Sequence, residues 1–304
     1  MTSARPRRLG ARRSHVFLFE VILNALVLGG MYALVALGLN LQYGVARMMN
    51  LSYGEFFMAG AFGAFWTVML WKLDPLLAMI ASVPVSFVVN WLIYRFLLLR
   101  LIRRAPDRDA LDADVILVTF GLLFVFQGLA IVNWGGEYRG YSYLAVPVKI
   151  LGAEVALNRL LAFLAACVLA AVLFAILGLT RTGAALRAMA IDPVAARLVG
   201  IDVLKLSALA FAAGGALAAI SGTLVSTFIS FSASIGVVYT LKALIVIIMG
   251  GVGRMMGCLA AGLLLGLAES LGGYLTDPGL TLAINFALFL IVLLVRPTGL
   301  FSRG

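Results

Sequence analysis

The residues best suited to chemistry form a short polar break between two apolar stretches. Asn50, Ser52, Gly54 and Glu55 end one long apolar run and begin the next. An acidic side chain at the centre of a membrane helix costs about 2.5–3.5 kcal/mol on insertion scales, so Glu55 needs a wet or paired environment. The break therefore predicts either a lining or gating role in a polar pathway or local capping of a half-helix. Asn50 and Ser52 share this choice, and could equally satisfy the backbone groups that the break leaves without helical partners.

Three further charged residues lie in the apolar second half of the chain, Lys242, Glu269 and Asp277. A pair among them would offset the cost of burial. The alternative is that each lies near a membrane face, where long charged side chains reach the interface.

The other reactive residue types exclude most enzyme chemistry. The single His15 lies in a basic tail, and Cys167 and Cys258 lie in apolar runs, so neither a disulfide framework nor a metal cluster is indicated. No nucleophile and base occur together, and no phosphate-binding loop is present, since none of the four lysines follows a glycine. We expect no catalytic residue, metal or cofactor in this chain, and no enzyme activity.

The elements that position these residues are membrane helices. Of the 304 residues 63% are hydrophobic and 12% are charged, which is typical of a membrane protein. The runs 160–179 and 206–225 each match the about 20 residues that cross a hydrocarbon core. The sequence therefore predicts an all-α polytopic membrane protein.

Basic residues predict the orientation of the helices. They form four groups around residues 5–13, 95–108, 181–205 and 296–303, whereas segment 135–158 has no positive excess. The positive-inside rule places all four groups in the cytoplasm. The net charge of +10 therefore reflects topology, and we expect no nucleic-acid partner. We divide the chain into a basic cytoplasmic tail, residues 1–15, and a single transmembrane domain, residues 16–304.

The number of crossings follows from these flanks. Three apolar stretches, 16–43, 51–71 and 76–99, separate the first two basic groups, although two cytoplasmic flanks need an even number of crossings. The second stretch begins at the polar break, and broken segments are tolerated where they face protein or water. We expect about eight spanning helices plus one or two broken or re-entrant segments.

A polar, alanine-rich insert at residues 180–205 separates two of the spans. Asp192 followed by Pro193 predicts the start of a short helix, and Gly200 its end. Asp202 can then cap the next spanning helix. Val194 and Leu198 share one face at a spacing of four residues. The insert is either a helix that docks in a groove or an amphipathic loop at the lipid headgroups.

Three motifs in this order resemble the LivH-type permease subunits of ABC importers for branched-chain amino acids. They are Leu28 to Leu39 continuing to Phe56, the insert from Gly183 to Val203, and Ile248 to Gly253. The resemblance covers essentially everything after the basic tail. Ser52-Tyr53 stands where such permeases commonly have Ala-His, and related systems carry urea, short amides or other amino acids.

The resemblance implies a multi-pass subunit of a bacterial-type cytoplasmic (inner) membrane. Its partners would be a LivM-like second permease, two cytoplasmic ATPases that hydrolyse the ATP, an extracytoplasmic solute-binding protein and membrane lipid. A translocation pathway or gate would involve Asn50, Ser52, Tyr53, Gly54 and Glu55. The ATPases would be coupled through a helix within the insert, whose candidate residues are Arg187, Asp192, Pro193, Ala195, Ala196, Leu198 and Gly200.

An ion-coupled secondary transporter of small solutes is the alternative function. It would need carboxylates inside the membrane that bind protons or sodium, and Glu55 and Glu269 supply two at most.

Overall fold

The computed structural model describes residues 8–150, 153–275, 278–296 and 299–300. Twelve α-helices are formed within these ranges, together with short 3-10 turns at Pro75–Leu77 and Pro278–Leu280 and a π-helical turn at Tyr94–Leu98. The helices are α1 Arg8–Ala46, α2 Tyr53–Trp71, α3 Ala78–Ile93, α4 Leu99–Arg104, α5 Arg108–Trp134, α6 Leu157–Leu179, α7 Arg181–Ile191, α8 Pro193–Leu198, α9 Val203–Ser226, α10 Ile235–Gly250, α11 Met255–Leu275 and α12 Thr281–Val295.

Six helical segments are long and apolar enough to cross a membrane. They are Phe19–Ala46, Pro75–Arg104, Arg108–Trp134, Leu157–Leu179, Val203–Ser226 and Met255–Leu275. Two shorter apolar helices, α10 and α12, accompany them, and α2 is a further helix of 19 residues. The polytopic helical fold is thus confirmed, whereas the predicted number of about eight full spans stays an expectation.

One antiparallel hairpin interrupts the helical fold that the sequence predicts. Strand β1, Pro147–Ile150, pairs with β2, Ala153–Ala156. Lys149 and Glu154 face each other in this register and form an exposed ion pair at 3.2 Å. The hairpin lies in the segment without positive excess, where polar residues are too frequent for a span.

The two ends of the helical bundle are defined by this hairpin and by the insert, and we call them the hairpin end and the insert end. The backbone N–H of Glu154 donates to Glu20 near the start of α1 (3.4 Å). At the other end of α1, Arg47 contacts the insert at Ala190 (3.2 Å). Helix α1 therefore runs from the hairpin end to the insert end.

This direction is opposite to the one that the basic tail predicts. One crossing separates Glu20 from Arg47, so the start of α1 and the insert lie at different ends of the bundle. The prediction assumed that all basic groups share one side and therefore required an even number of crossings before residue 95. Residues 1–7 lie outside the described residues, and only the backbone of residues 8–18 is described. The other basic groups, as far as they are described, do lie at the insert end.

The core is built on α1 and α9, which cross at glycines. Gly38 of α1 lies against Gly214 of α9, and a Cβ on Gly38 would come within 2.9 Å of the Gly214 carbonyl oxygen. Helix α1 also packs along α11, and α9 packs along α2 and α3. Since α1 runs toward the insert end and α9 away from it, the two core helices are antiparallel.

Candidate functional site

The predicted break lies inside the helical bundle between α1 and α2. Asn50 and Ser52 are buried. The Oδ1 atom of Asn50 accepts hydrogen bonds from the Ser52 backbone N–H (3.0 Å) and hydroxyl (2.8 Å). This Asx-type turn replaces the helical hydrogen bonds that the break forfeits. Of the two interpretations of Asn50 and Ser52, the structure directly shows the local backbone role.

A polar network joins the break to three helices. The Nδ2 atom of Asn50 donates to Gln42 of α1 at 3.0 Å. Gln42 in turn donates to the carbonyl oxygen of Phe211 in α9 (2.7 Å) and to Oδ1 of Asn90 in α3 (3.4 Å). Asn90 donates to the Ser86 carbonyl oxygen at 2.8 Å. Buried amides connected in this way fix the relative positions of their helices.

Tyr53 and Gly54 fix the start of α2. The Tyr53 hydroxyl donates to the carbonyl oxygen of Val35 on α1 at 2.7 Å. The Gly54 backbone N–H donates to the hydroxyl of Thr240 on α10 at 2.8 Å. Gly54 also lies directly against Gly236 of α10, and any Cβ at residue 54 would overlap the Gly236 carbonyl oxygen. Helices α2 and α10 therefore begin in contact with each other inside the bundle.

Glu55 is enclosed at this junction. It is 2% exposed, and its two carboxylate oxygens have no hydrogen-bond partner among the described residues. A Cβ on Gly236 would lie 2.6 Å from Oε1, so the carboxyl group lies against the first turn of α10. Glu55 is also in the first turn of α2. Two helix N-termini thus direct their positive ends toward one carboxyl group.

The structure brings all five predicted pathway residues together, but in a packed interior. Asn50, Ser52, Tyr53, Gly54 and Glu55 are all buried. The cavity that we describe below is lined by other side chains. A pathway role for these five residues therefore stays a prediction.

An open cavity of about 430 Å³ lies at the hairpin end, between α1, the start of α6, α10 and α11. Lys242 and Glu269 meet at its inner wall, where Nζ lies 2.9 Å from each carboxylate oxygen. Nζ also donates to the Tyr32 hydroxyl at 2.8 Å, and Asn285 donates to Oε2 of Glu269 at 2.9 Å. Of the two interpretations of these charges, the structure shows the pair for Lys242 and Glu269, while Asp277 lies outside the described residues.

Sequence reasoning did not single out Arg159, which also lines this cavity. Arg159, in the first turn of α6, donates from Nη1 to Oδ1 of Asn24 at 2.8 Å, and both line the cavity. The available signals were an arginine at the start of an apolar run and an asparagine inside another. The sequence alone does not distinguish such an arginine from one that anchors a helix at the membrane interface, or such an asparagine from one that makes an interhelical hydrogen bond.

The insert forms two helices, α7 and α8, separated by Asp192. The Oδ1 atom of Asp192 accepts from the backbone N–H groups of Val194 (2.8 Å) and Ala195 (3.1 Å), so the predicted cap is confirmed, with Pro193 in the first turn. Gly200 ends the segment with a φ of +83°, as the pattern predicts. The predicted coupling residues are therefore divided between two helices, with Arg187 on α7 and the others on α8 or at its ends.

The two faces of α8 differ in exposure. Leu198 is 84% exposed and Val194 is exposed beside it, whereas Ala196 is 3% exposed and packs against the bundle. Ala195 and Arg187 are exposed. An apolar helical face therefore projects from the insert end with basic side chains around it. Ala196, one of the predicted coupling residues, is therefore not available on the exposed face, which Val194 and Leu198 form. The coupling role of this segment stays a prediction.

A short cap follows α8. The Oδ1 atom of Asp202 accepts from the backbone N–H of Lys205 at 3.1 Å, and Oδ2 pairs with the Lys205 ammonium at 2.9 Å. The Lys205 side chain, followed by its backbone N–H, holds the pKa of Asp202 below its usual range. Asp202 thus starts α9 as the sequence predicts.

Comparison with known proteins gives consistent matches along the chain. The family model described as "Branched-chain amino acid transport system / permease component" matches residues 21–293. LivH of Salmonella typhimurium is 28% identical over 95% of this chain and 96% of its own length. BraD of Pseudomonas aeruginosa is 28% identical over 93% and 95%. A probable LivH of Methanocaldococcus jannaschii is 25% identical over 84% and 81%.

Proposed function

Because the chain belongs to the LivH-type family of branched-chain amino acid transport permeases, we propose that it is one permease subunit of an ATP-driven ABC importer. With a second, LivM-like permease it forms the pathway for branched-chain or related amino acids across the cytoplasmic membrane. The energy comes from ATP that two cytoplasmic ATPase subunits hydrolyse. An extracytoplasmic binding protein delivers the solute to the hairpin end.

The observation that carries the proposal is the exposed apolar face of α8. Val194 and Leu198 project from the insert end, although burying such side chains is favourable by about 1.5–3 kcal/mol each. The helix that carries them is capped at its start by Asp192 and followed by Gly200 in a left-handed conformation. An exposed apolar helical face of this kind can bind in a groove on a protein partner.

The surrounding charges support a cytoplasmic location for this face. Described basic residues from several elements lie at the insert end, including Arg47, Arg187 and Arg197. Positive residues are enriched in cytoplasmic loops. The ATPases, which use cytoplasmic ATP, would therefore dock at the same end.

The test is affinity purification of the tagged chain from its native membrane in mild detergent, followed by mass spectrometry. The parent should recover the two ATPases and the second permease. Leu198→Glu should lose the ATPases, because a charge replaces the exposed apolar contact, and should keep the second permease. Val146→Glu, an exposed change at the hairpin end, is the matched control and should keep all partners. Recovery of the ATPases at the parental level by Leu198→Glu would contradict the docking face.

A further inference from the structure

We propose that a groove at the insert end, between α3–α4 and the start of α9, binds an anionic phospholipid. The phosphate of the lipid lies between Arg95 and Arg103, and an acyl chain lies along an apolar wall that continues toward the membrane interior. The inference goes beyond the importer function and does not depend on it, because it requires only that the chain spans a bilayer.

The groove lies where two spanning segments reach the same end of the bundle. Segment Pro75–Arg104 is held at the insert end by Arg108, which follows α4 and donates to the carbonyl oxygen of Arg47 at 2.6 Å. Helix α9 begins at this end, directly after the insert, and packs along α3. The open space between the two segments has a volume of about 610 Å³. Phospholipid headgroups meet a membrane protein at such span ends, where basic residues are enriched.

The charges of the groove favour a phosphate group. Arg95, Arg103 and Lys205 line it, and Asp202 is the one acidic residue among its described lining residues. Lys205 is already paired with Asp202 at 2.9 Å. Arg95 and Arg103 are exposed, and neither has an ion pair or a hydrogen bond within the described ranges. Two guanidinium groups are thus left for a phosphate, which such groups bind through paired N–H donors.

The helix geometry places both arginines on the groove side. Arg95, Leu99 and Arg103 follow one another at intervals of four residues, and all three line the groove. Residues at this spacing are neighbours on one helix face. A smaller cavity of about 220 Å³ adjoins the same two arginines and includes Arg100. A third positive charge therefore lies beside the position of the headgroup.

The rest of the groove suits an acyl chain. Its wall includes Phe87, Trp91, Leu206 and Leu209. The Arg95 guanidinium lies over the Trp91 ring, 5.6 Å from its centroid, so the ring separates the charged part of the groove from the apolar part. Tryptophan commonly occupies this boundary in membranes. A phospholipid would pair the arginines and cover the apolar wall at the same time.

The headgroup should carry no positive charge of its own. A choline or ethanolamine group would bring a cation next to Arg95 and Arg103. The carboxylate of Asp202 is occupied by the Lys205 ammonium and by the backbone N–H that starts α9, so it offers no separate site for that cation. Basic pockets between spanning helices bind anionic headgroups. A lipid of the phosphatidylglycerol type fits these charges.

The test maps the contacts of a photoreactive lipid on the assembled protein. The chain is co-purified with its partners and reconstituted into phosphatidylcholine vesicles that contain a trace of phosphatidylglycerol with a diazirine on one acyl chain. After irradiation, mass spectrometry of the peptides locates the crosslinks. We expect them in residues 87–103 and 204–209. Unlabelled phosphatidylglycerol should suppress them, whereas added phosphatidylcholine or water-soluble glycerol phosphate should not.

Substitutions at the arginines test the role of their charge. Arg95→Gln and Arg103→Gln should each reduce crosslinking in the groove about fivefold, and the double variant about twentyfold. Arg104→Gln is the matched control, since it removes the same charge at the same end but does not line the groove. It should stay within about twofold of the parent. Arg95→Lys keeps the charge and should retain most of the crosslinking, which separates loss of binding from misfolding.

Three results would overturn the proposal. Equal crosslinking by photoreactive phosphatidylcholine, or parental crosslinking in the double variant, would mean that the groove does not select an anionic headgroup. Suppression by glycerol phosphate would identify a site for a soluble anion. Crosslinks that form in the isolated chain but are absent from the assembled protein would mean that a partner subunit covers the groove.

Discussion

Arg47, at the end of α1, donates from Nη2 to two backbone carbonyl oxygens at the end of α7, those of Ala190 (3.2 Å) and Ile191 (3.1 Å). These carbonyls lack helical partners because α7 ends there. Arg47 is also the first residue of the break and has a φ of +54°, a conformation that is uncommon for residues other than glycine. One side chain thus connects the insert directly to the buried break.

Arg47→Ala should uncouple ATP hydrolysis from transport. When the ATPases displace the insert, the movement would no longer be transmitted to the break through Arg47. Helix α8 would still bind the ATPases. The substitution removes about 2 kcal/mol of charge-assisted hydrogen bonding between the break and the insert. We expect the rate of ATP hydrolysis to stay within about twofold of the parent, and the number of solute molecules carried per ATP to fall. Arg104→Ala, an exposed change on α4 at the same end, is the control. A parental transport-to-hydrolysis ratio in Arg47→Ala would refute this coupling route.

Gly54→Ala should prevent correct packing of α2 on α10. The added methyl group would overlap the Gly236 backbone, which cannot move without shifting α10. Overpacking of this kind costs about 1–3 kcal/mol or more. We expect a lower apparent melting temperature and loss of monodisperse protein in detergent. Gly63→Ala on the same helix has only Ser82 within reach, at 3.8 Å, and should be neutral; equal stability of both variants would contradict the packing.

The melting temperature should depend on the size of the side chain at residue 196 and not at residue 198. Ala196→Leu enlarges a buried side chain and should lower the melting temperature, whereas Leu198→Ala removes an exposed one and should leave it unchanged. Differential scanning fluorimetry of the purified chain measures both. A destabilised Leu198→Ala with a neutral Ala196→Leu would mean that α8 packs on the bundle through its other face.

Lys242→Met should destabilise the chain by leaving Glu269 without its ammonium partner. Breaking a buried ion pair costs about 3–5 kcal/mol, and the cost is lower here because the pair borders an open cavity. Adding Glu269→Gln should recover most of the loss, since no unpaired charge then remains. The free energies of unfolding of the parent, the two single variants and the double variant, measured by chemical unfolding, form a double-mutant cycle. Additive losses would show that Lys242 and Glu269 do not act as a pair.

Much of the fold follows from local sequence signals. Helices α6 and α9 begin and end within about three residues of the predicted spans 160–179 and 206–225, and the caps at Asp192, Gly200 and Asp202 lie where side-chain chemistry places them. These features depend on neighbours within a few residues. The position of the polar break was likewise evident from Asn50 to Glu55.

Features that depend on distant packing were not predictable in this way. The direction of α1 is fixed by contacts of Glu20 and Arg47 with residues more than a hundred positions away, and a count of basic residues does not contain them. The burial of Ala196 depends on which face of α8 meets the bundle. The cavity needs Arg159, Lys242 and Glu269 from three helices, and their proximity arises only from the tertiary fold.

Solute uptake into proteoliposomes tests the central claim most directly. The chain is reconstituted with its second permease, ATPases and binding protein, and leucine entry is followed with ATP, a non-hydrolysable analogue or no nucleotide at the ATPase face. We predict uptake only with hydrolysable ATP and with binding protein at the hairpin end. Uptake without ATP that follows an imposed proton or sodium gradient would contradict the account and identify an ion-coupled transporter.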